Sequence, residues 1–179
     1  HPTLRRQRQM CIRDRLKLDN KNIDTILVLD FGSQYTQLIA RRIRELEVYS
    51  EILPWDIDPN MIRNLQPKGV ILSGGPESVT QQHTPRIPEV IFELDIPILG
   101  ICFGMQTLAE QFGGQVSSSD KKEFGFAEVT LQEQSILLQN INESILKVWM
   151  SHGDCVSSLP KDFKLIGSTE TSNICLLYT

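Results

Sequence analysis

The sequence predicts an α/β fold: an open, mostly parallel sheet with helices on both faces. Three observations carry this. Short apolar, branched runs recur at 25–30, 69–73 and 96–102, the pattern of strands buried on both faces. Segments with apolar residues at helical spacing lie between them. Two of the runs end in glycine-bearing turns, "SGGP" (73–76) and "GICFG" (100–104), and in open α/β sheets reactive groups gather at the carboxyl ends of strands.

The elements follow in order. "TILVLD" (25–30) is a strand. A helix is expected from Gln34 to Leu46, with Ile39, Ile43 and Leu46 along one side. "YSEIL" (49–53) is a second strand. Pro54 and Pro59 bracket a turn, and "NMIRNL" forms a short helix. "GVILS" (69–73) is a strand ended by Gly74-Gly75-Pro76. "PEVIFEL" (88–94) is a helix with Pro88 at its first position. "IPILGIC" (96–102) is a third buried strand, followed by the helix "MQTLAEQF" (105–112), which Gly113-Gly114 ends. Beyond Gly114 the texture changes. "FGFAEVTL" (124–131) and "FKLIGST" (163–169) alternate polar and apolar residues and are expected as antiparallel edge elements.

The ends differ from the middle. Residues 1–17 carry six basic residues against one acid, so a chain of net charge −4 carries −9 over the remainder. "RQRQMCIRDR" and "CLLYT" resemble translated adapter sequence. Residues 1–22 are therefore read as a non-native or disordered basic tail and 175–179 as a non-native end, which sets Cys11 and Cys175 aside. Residues 23–174 form one domain, with no linker, repeat or low-complexity tract. The mild overall charge gives no push toward nucleic acid or a membrane surface, and no apolar run approaches the length of a membrane span. Four widely spaced cysteines without a C-x-x-C pair exclude zinc-ribbon and thioredoxin readings and fit a reducing, cytoplasmic setting.

Cys102 ends an apolar run, where a cysteine is commonly a small core hydrophobe. Its frame, Gly100-x-Cys102-x-Gly104, is also that of a nucleophile elbow, a sharp strand-to-helix turn that side chains at the flanking positions would crowd. The positive end of the following helix would favour thiolate there. The backbone amides of Gly75 and Phe103 are the candidate oxyanion donors, although "GGP" equally fits a plain tight turn. His152, in "WMSHGD" (149–154), is the obvious local base for Cys102, or else a turn histidine; His83 is read as a solvated loop residue. "DFG" (30–32) is not a kinase signature, because the Gly-rich loop, V-A-I-K and H-R-D are missing, and no phosphate-binding G-x-x-x-x-G-K-[ST] occurs.

The stretches "LDFGSQYTQLIARRIRELEVYSEI" (29–52), "GVILSGGPESV" (69–79), "PILGICFGMQTLAEQFGG" (97–114), "EFGFAEV" (123–129) and "WMSHGD" resemble the class I glutamine amidotransferase domain of GMP synthases. The resemblance covers most of residues 25–170 and implies a flavodoxin-like sheet with its final strand and helix missing. It implies that Cys102 is the nucleophile that hydrolyses L-glutamine through a thioester, with Gly75 and Phe103 as oxyanion amides. It implies that Gln106, Ser151, His152, Gly153 and Asp154 hold the substrate. The family's base and its glutamate partner lie in a later His-Pro-Glu motif, and no His-x-Glu occurs in this sequence. The chain is therefore expected to be C-terminally truncated and to be weak or inactive alone. No cofactor or metal is expected in this domain. ATP and Mg are implied for a synthetase domain, in cis or in trans, that aminates XMP to GMP, and the full-length protein is expected to be a homodimer. Two other readings stand beside this one. The first is a Cys-elbow α/β hydrolase using Cys102 and His152; the second is a non-catalytic module that only docks to a partner.

Overall fold

The computed structural model describes residues 23–178. The basic segment 1–22 and its cysteine, Cys11, lie outside the described residues. The chain runs β1 (Thr25–Asp30), α1 (Thr36–Glu45), β2 (Tyr49–Pro54), α2 (Pro59–Leu65), β3 (Gly69–Leu72), α3 (Glu89–Glu93), β4 (Ile98–Gly100), α4 (Phe103–Gln111), β5 (Gln115–Leu131), a 3-10 turn (Ile136–Leu138), β6 (Ile145–Ser158), β7 (Lys164–Ser168) and β8 (Leu176–Tyr178).

β1 to β4 form a parallel sheet in the order β2-β1-β3-β4. The chain steps one way from β1 to β2 and the other way from β2 to β3. Right-handed crossovers therefore put α1 on one face and α2 and α3 on the other. The crevice of such a sheet opens where the direction reverses, between the carboxyl ends of β1 and β3. Those ends carry "DFGSQ" and "SGGP".

Leu27, Leu29, Leu53, Ile62, Val70, Leu72, Ile87 and Ile91 make one buried cluster with Phe31 and Phe103, each large side chain contributing about 1.5–3 kcal/mol by leaving water. The side of α1 that meets the sheet is lined by Thr36 and Ala40, with the Ser50 hydroxyl donating to the Ala40 carbonyl at 3.1 Å. Leu46, expected in the buried stripe, is the C-cap and 77% exposed: the helix ends before the stripe can carry it under. Pro88 is the N-cap of α3 rather than its first helical residue. β4 is shorter than expected and forms one edge of the sheet, so Leu99 is partly exposed. The ladder continues past both its ends through Val70 N–H to Pro97 O (2.9 Å) and Ile101 N–H to Leu72 O (3.0 Å).

The segments 124–131 and 163–169 do not edge the parallel sheet. They belong to a second, antiparallel sheet in the order β6-β5-β7-β8. β5 and β6 pair over almost their whole length, from Gln115↔Ser158 to Thr130↔Ile145. This pairing satisfies the backbone groups of β5 and β6 within the second sheet. Cys175 is buried, and Leu176–Tyr178, expected on sequence grounds to be a non-native end, pairs with β7. The two sheets meet along α4, and Phe112 at its end contacts Phe92 (centroids 5.2 Å apart) and Phe163 (5.6 Å). No helix among the described residues is long and apolar enough to cross a membrane.

Candidate active site at the strand-to-helix elbow

Cys102 stands between β4 and α4 with φ 49° and ψ −113°. A β-carbon is crowded in such a conformation, and a non-glycine residue there stores strain. Neighbouring backbone holds the turn: Gly104 N–H donates to Ile101 O and Gln106 N–H to Cys102 O, each at 3.0 Å. Both flanking glycines are obligatory on steric grounds. A β-carbon at Gly100 would stand 2.6 Å from Met105 Cα, and one at Gly104 would stand 2.5 Å from the Leu72 carbonyl oxygen. The two glycines of the Gly-x-Cys-x-Gly frame thus let this turn and the start of α4 pack closely against β3.

Phe103, the first residue of α4, buries its ring against Phe31 with centroids 5.3 Å apart. Its amide belongs to the first turn of a helix, where N–H groups lack intrahelical acceptors. The SGGP turn lies alongside. A β-carbon at Gly74 would come 3.8 Å from Cys102 Cβ, and one at Gly75 would come 3.4 Å from the Phe103 ring and 2.9 Å from Phe31 O. Ser73 fixes the turn: its buried hydroxyl accepts from Phe31 N–H (3.0 Å) and donates to Gly74 O (2.8 Å), tying the ends of β1 and β3 together. The elbow, the oxyanion candidates Gly75 and Phe103, and the crevice therefore converge.

Burial pushes the Cys102 thiol up from its ordinary value. The positive end of α4 acts in the opposite direction.

Gln106 is buried and donates from Nε2 to the Asp154 carbonyl at 2.7 Å. Asp154 is buried too, and its Oδ2 accepts from Ser78 Oγ at 2.5 Å. Two of the residues expected to hold substrate therefore also tie α4, β6 and the SGGP loop together. Along β6 the odd-numbered residues 145–151 are exposed, while 146–156 at even positions face inward. His152 and Asp154 share the inward series. Ser151 lies on the exposed face, opposite Phe124, so the side chains of Ser151 and His152 point to opposite faces. Nothing stands within 4 Å of a β-carbon built at Gly153, so space is open there. Sequence reasoning missed Ser73 and Ser78 as individual residues, although both lie in the quoted "SGGPESV" stretch. Among the described residues no group of three His, Cys, Asp or Glu side chains can hold a metal ion.

Residues 27–178 match the profile of the family "Glutamine amidotransferase class-I". The chain belongs to this family. Among its curated relatives, the GMP synthase [glutamine-hydrolyzing] of Ruthia magnifica subsp. Calyptogena magnifica is 54% identical over 160 residues, covering 88% of this chain and 31% of the relative. That of Paraburkholderia phytofirmans is 55% identical over 161 residues, covering 86% and 31%. This amidotransferase chain thus spans about 31% of the length of those relatives. The crystal structure of a GMP synthase component from Thermoplasma acidophilum superposes with a TM-score of 0.74 at 29% identity, covering 89% of this chain and 79% of that one. A glutamine amidotransferase from Thermotoga maritima superposes with a TM-score of 0.66 at 21% identity, over 84% and 69%, and shares the fold.

Proposed function

We propose that this class I amidotransferase chain is the glutamine-hydrolysing part of a GMP synthase. The observation that carries the reading is the Cys102 elbow: a cysteine held at positive φ between two glycines that nothing larger can replace. A core cysteine has no need of that conformation.

The Cys102 sulfur, once deprotonated, attacks the side-chain amide carbon of L-glutamine and forms a C–S bond. The amides of Gly75 and Phe103 donate to the oxygen that becomes negative. The C–N bond then breaks, the nitrogen takes a proton and leaves as ammonia, and a glutamyl thioester remains. Water cleaves the thioester, giving glutamate and the free thiol. Gln106, His152, Gly153 and Asp154 hold the substrate, and Ser151 contributes through its backbone. His152 serves in holding substrate rather than as the base, since the family resemblance places the base in a His-Pro-Glu motif that these residues do not contain.

The ammonia is passed to a synthetase, in cis or in trans, that aminates XMP to GMP with ATP and Mg. Those requirements go with the synthetase, as does homodimer formation, and the whole protein works in the cytoplasm. Release of ammonia and glutamate from L-glutamine by the full-length product of the native gene, abolished by Cys102→Ala, tests the reading. Undiminished turnover in Cys102→Ala would overturn it.

A further inference from the structure

Ser78 is three residues beyond Gly75 on the loop that follows β3, and no step of the chemistry above uses it. Its hydroxyl donates to Asp154 Oδ2 at 2.5 Å. On its other side it meets the Thr80 hydroxyl at 2.8 Å, and the Thr80 amide donates to it at 3.3 Å. With its own proton committed to the carboxylate, Ser78 is an acceptor toward Thr80. The chain of donors is thus Thr80 to Ser78 to Asp154. Asp154 is 7% exposed, and its main-chain oxygen accepts from the Gln106 side chain at 2.7 Å. One buried residue on β6 therefore holds the oxyanion loop with its side chain and the nucleophile's helix with its backbone.

We infer that Ser78 is a positioning residue: by gripping the Asp154 carboxylate, it sets the Gly74-Gly75 turn at its working distance from Cys102. The inference rests on the glutaminase reading and extends it. Among the described residues, Ser73 hydrogen-bonds the start of the SGGP turn, and Val79, beside Ser78, is buried in the core cluster. Past Pro76 the loop is exposed up to Ser78, so the Ser78 hydroxyl is the first anchor on its far side. A charge-assisted hydrogen bond of this kind is strong enough to select one loop geometry. A loop that moves by about 1 Å forfeits much of the benefit of aligned donors.

The test uses the 179-residue chain and two alkylating agents, with the modification located at Cys102 by peptide mass spectrometry. One is a chloroketone analogue of glutamine, which must sit in the substrate pocket with its carbonyl oxygen in the oxyanion site. The other is iodoacetamide, which reports only the reactivity and access of the thiol. Ser78→Ala is expected to slow the chloroketone reaction about tenfold, the scale of one lost hydrogen bond to a charged group, and to leave the iodoacetamide rate unchanged. Ser78→Thr, which keeps the hydroxyl, is expected to restore it. Thermal melting checks that each variant is folded. Should Ser78→Ala not fold, Thr80→Ala removes the hydroxyl on the other side of Ser78 and is expected to lower the same rate ratio by a smaller factor. Equal slowing of both reagents, or no slowing of either, overturns the role of Ser78. A wild-type reaction that excess L-glutamine does not slow overturns the glutaminase reading instead, and the role of Ser78 falls with it.

Discussion

Gly104 lies directly over the Leu72 carbonyl, so close that a β-carbon added to it would stand 2.5 Å from that oxygen. The contact fixes how near α4 can come to β3, and so where Cys102 sits relative to the SGGP turn. Gly104→Ala is expected to destabilise the chain by about 1–3 kcal/mol, the usual cost of overpacking, read as a lower denaturant midpoint with an unchanged slope. Because the obstacle is backbone rather than a flexible side chain, relaxation has to move the helix. Reaction of Cys102 with glutamine-like electrophiles should fall with it.

The positive φ of Cys102 is a cost that the fold bears for the sake of the thiol. Cys102→Gly should be more stable than Cys102→Ala by about 1 kcal/mol, since glycine reaches φ 49° without strain. Chemical denaturation of the two variants measures the difference. Equal stability would show that the elbow carries no strain.

Desolvation by burial raises the pKa of the Cys102 thiol. A raised thiol loses its proton later as pH increases. The rate of Cys102 alkylation by iodoacetamide should therefore inflect at higher pH in the folded chain than in the chain unfolded in urea. Between those two pH values the unfolded state releases a proton that the folded state retains, so stability should decline as pH rises through that window. A folded-state inflection below that of the unfolded chain would mean that the helix end, not burial, governs the thiol.

Ser73 holds the turn that presents Gly75. Ser73→Ala leaves the buried Phe31 amide without its acceptor and should cost about 1–3 kcal/mol of stability. Ser73→Thr keeps the hydroxyl but adds a methyl to a fully buried site, so both variants should lower the melting temperature.

How much of this was readable from residues alone varied with the physics of each element. β1 and β3 were plain because "TILVLD" and "GVIL" are short, branched and bounded by turns, and the elbow was plain because its glycines answer a steric demand of close range. β6 was not. Val148, Trp149 and Met150 put apolar side chains on both faces in succession, which hides the period of two, and Gly153 interrupts the run. Its partner, β5, extends back to Gln115 only because β6 is there to pair with it. Leu46 fitted a helical stripe but lies past the point where α1 stops. Of the site, residue types and spacing single out Cys102, Gly75 and Phe103 as candidates. The Ser78–Asp154 bond joins residues 76 positions apart and has no local signature, and the rise in the Cys102 thiol follows from packing that no local pattern encodes.

Because no His-x-Glu occurs among its residues, the chain alone should hydrolyse glutamine several orders of magnitude more slowly than a full-length GMP synthase, by analogy with the loss of a catalytic partner in hydrolases. Parallel assays of ammonia release under identical conditions measure the ratio. Rates within about tenfold of each other would restore His152 as the base for Cys102.

The most direct measurement of Cys102 as a glutamine-directed nucleophile is covalent capture in the 179-residue chain. The chain is treated with the glutamine chloroketone, with and without excess L-glutamine, and the modified cysteine is identified by peptide mass spectrometry. The expected result is one adduct, at Cys102, whose formation L-glutamine slows and L-glutamate slows less. Adducts spread over Cys102, Cys155 and Cys175, or a Cys102 adduct that L-glutamine leaves untouched, would contradict it.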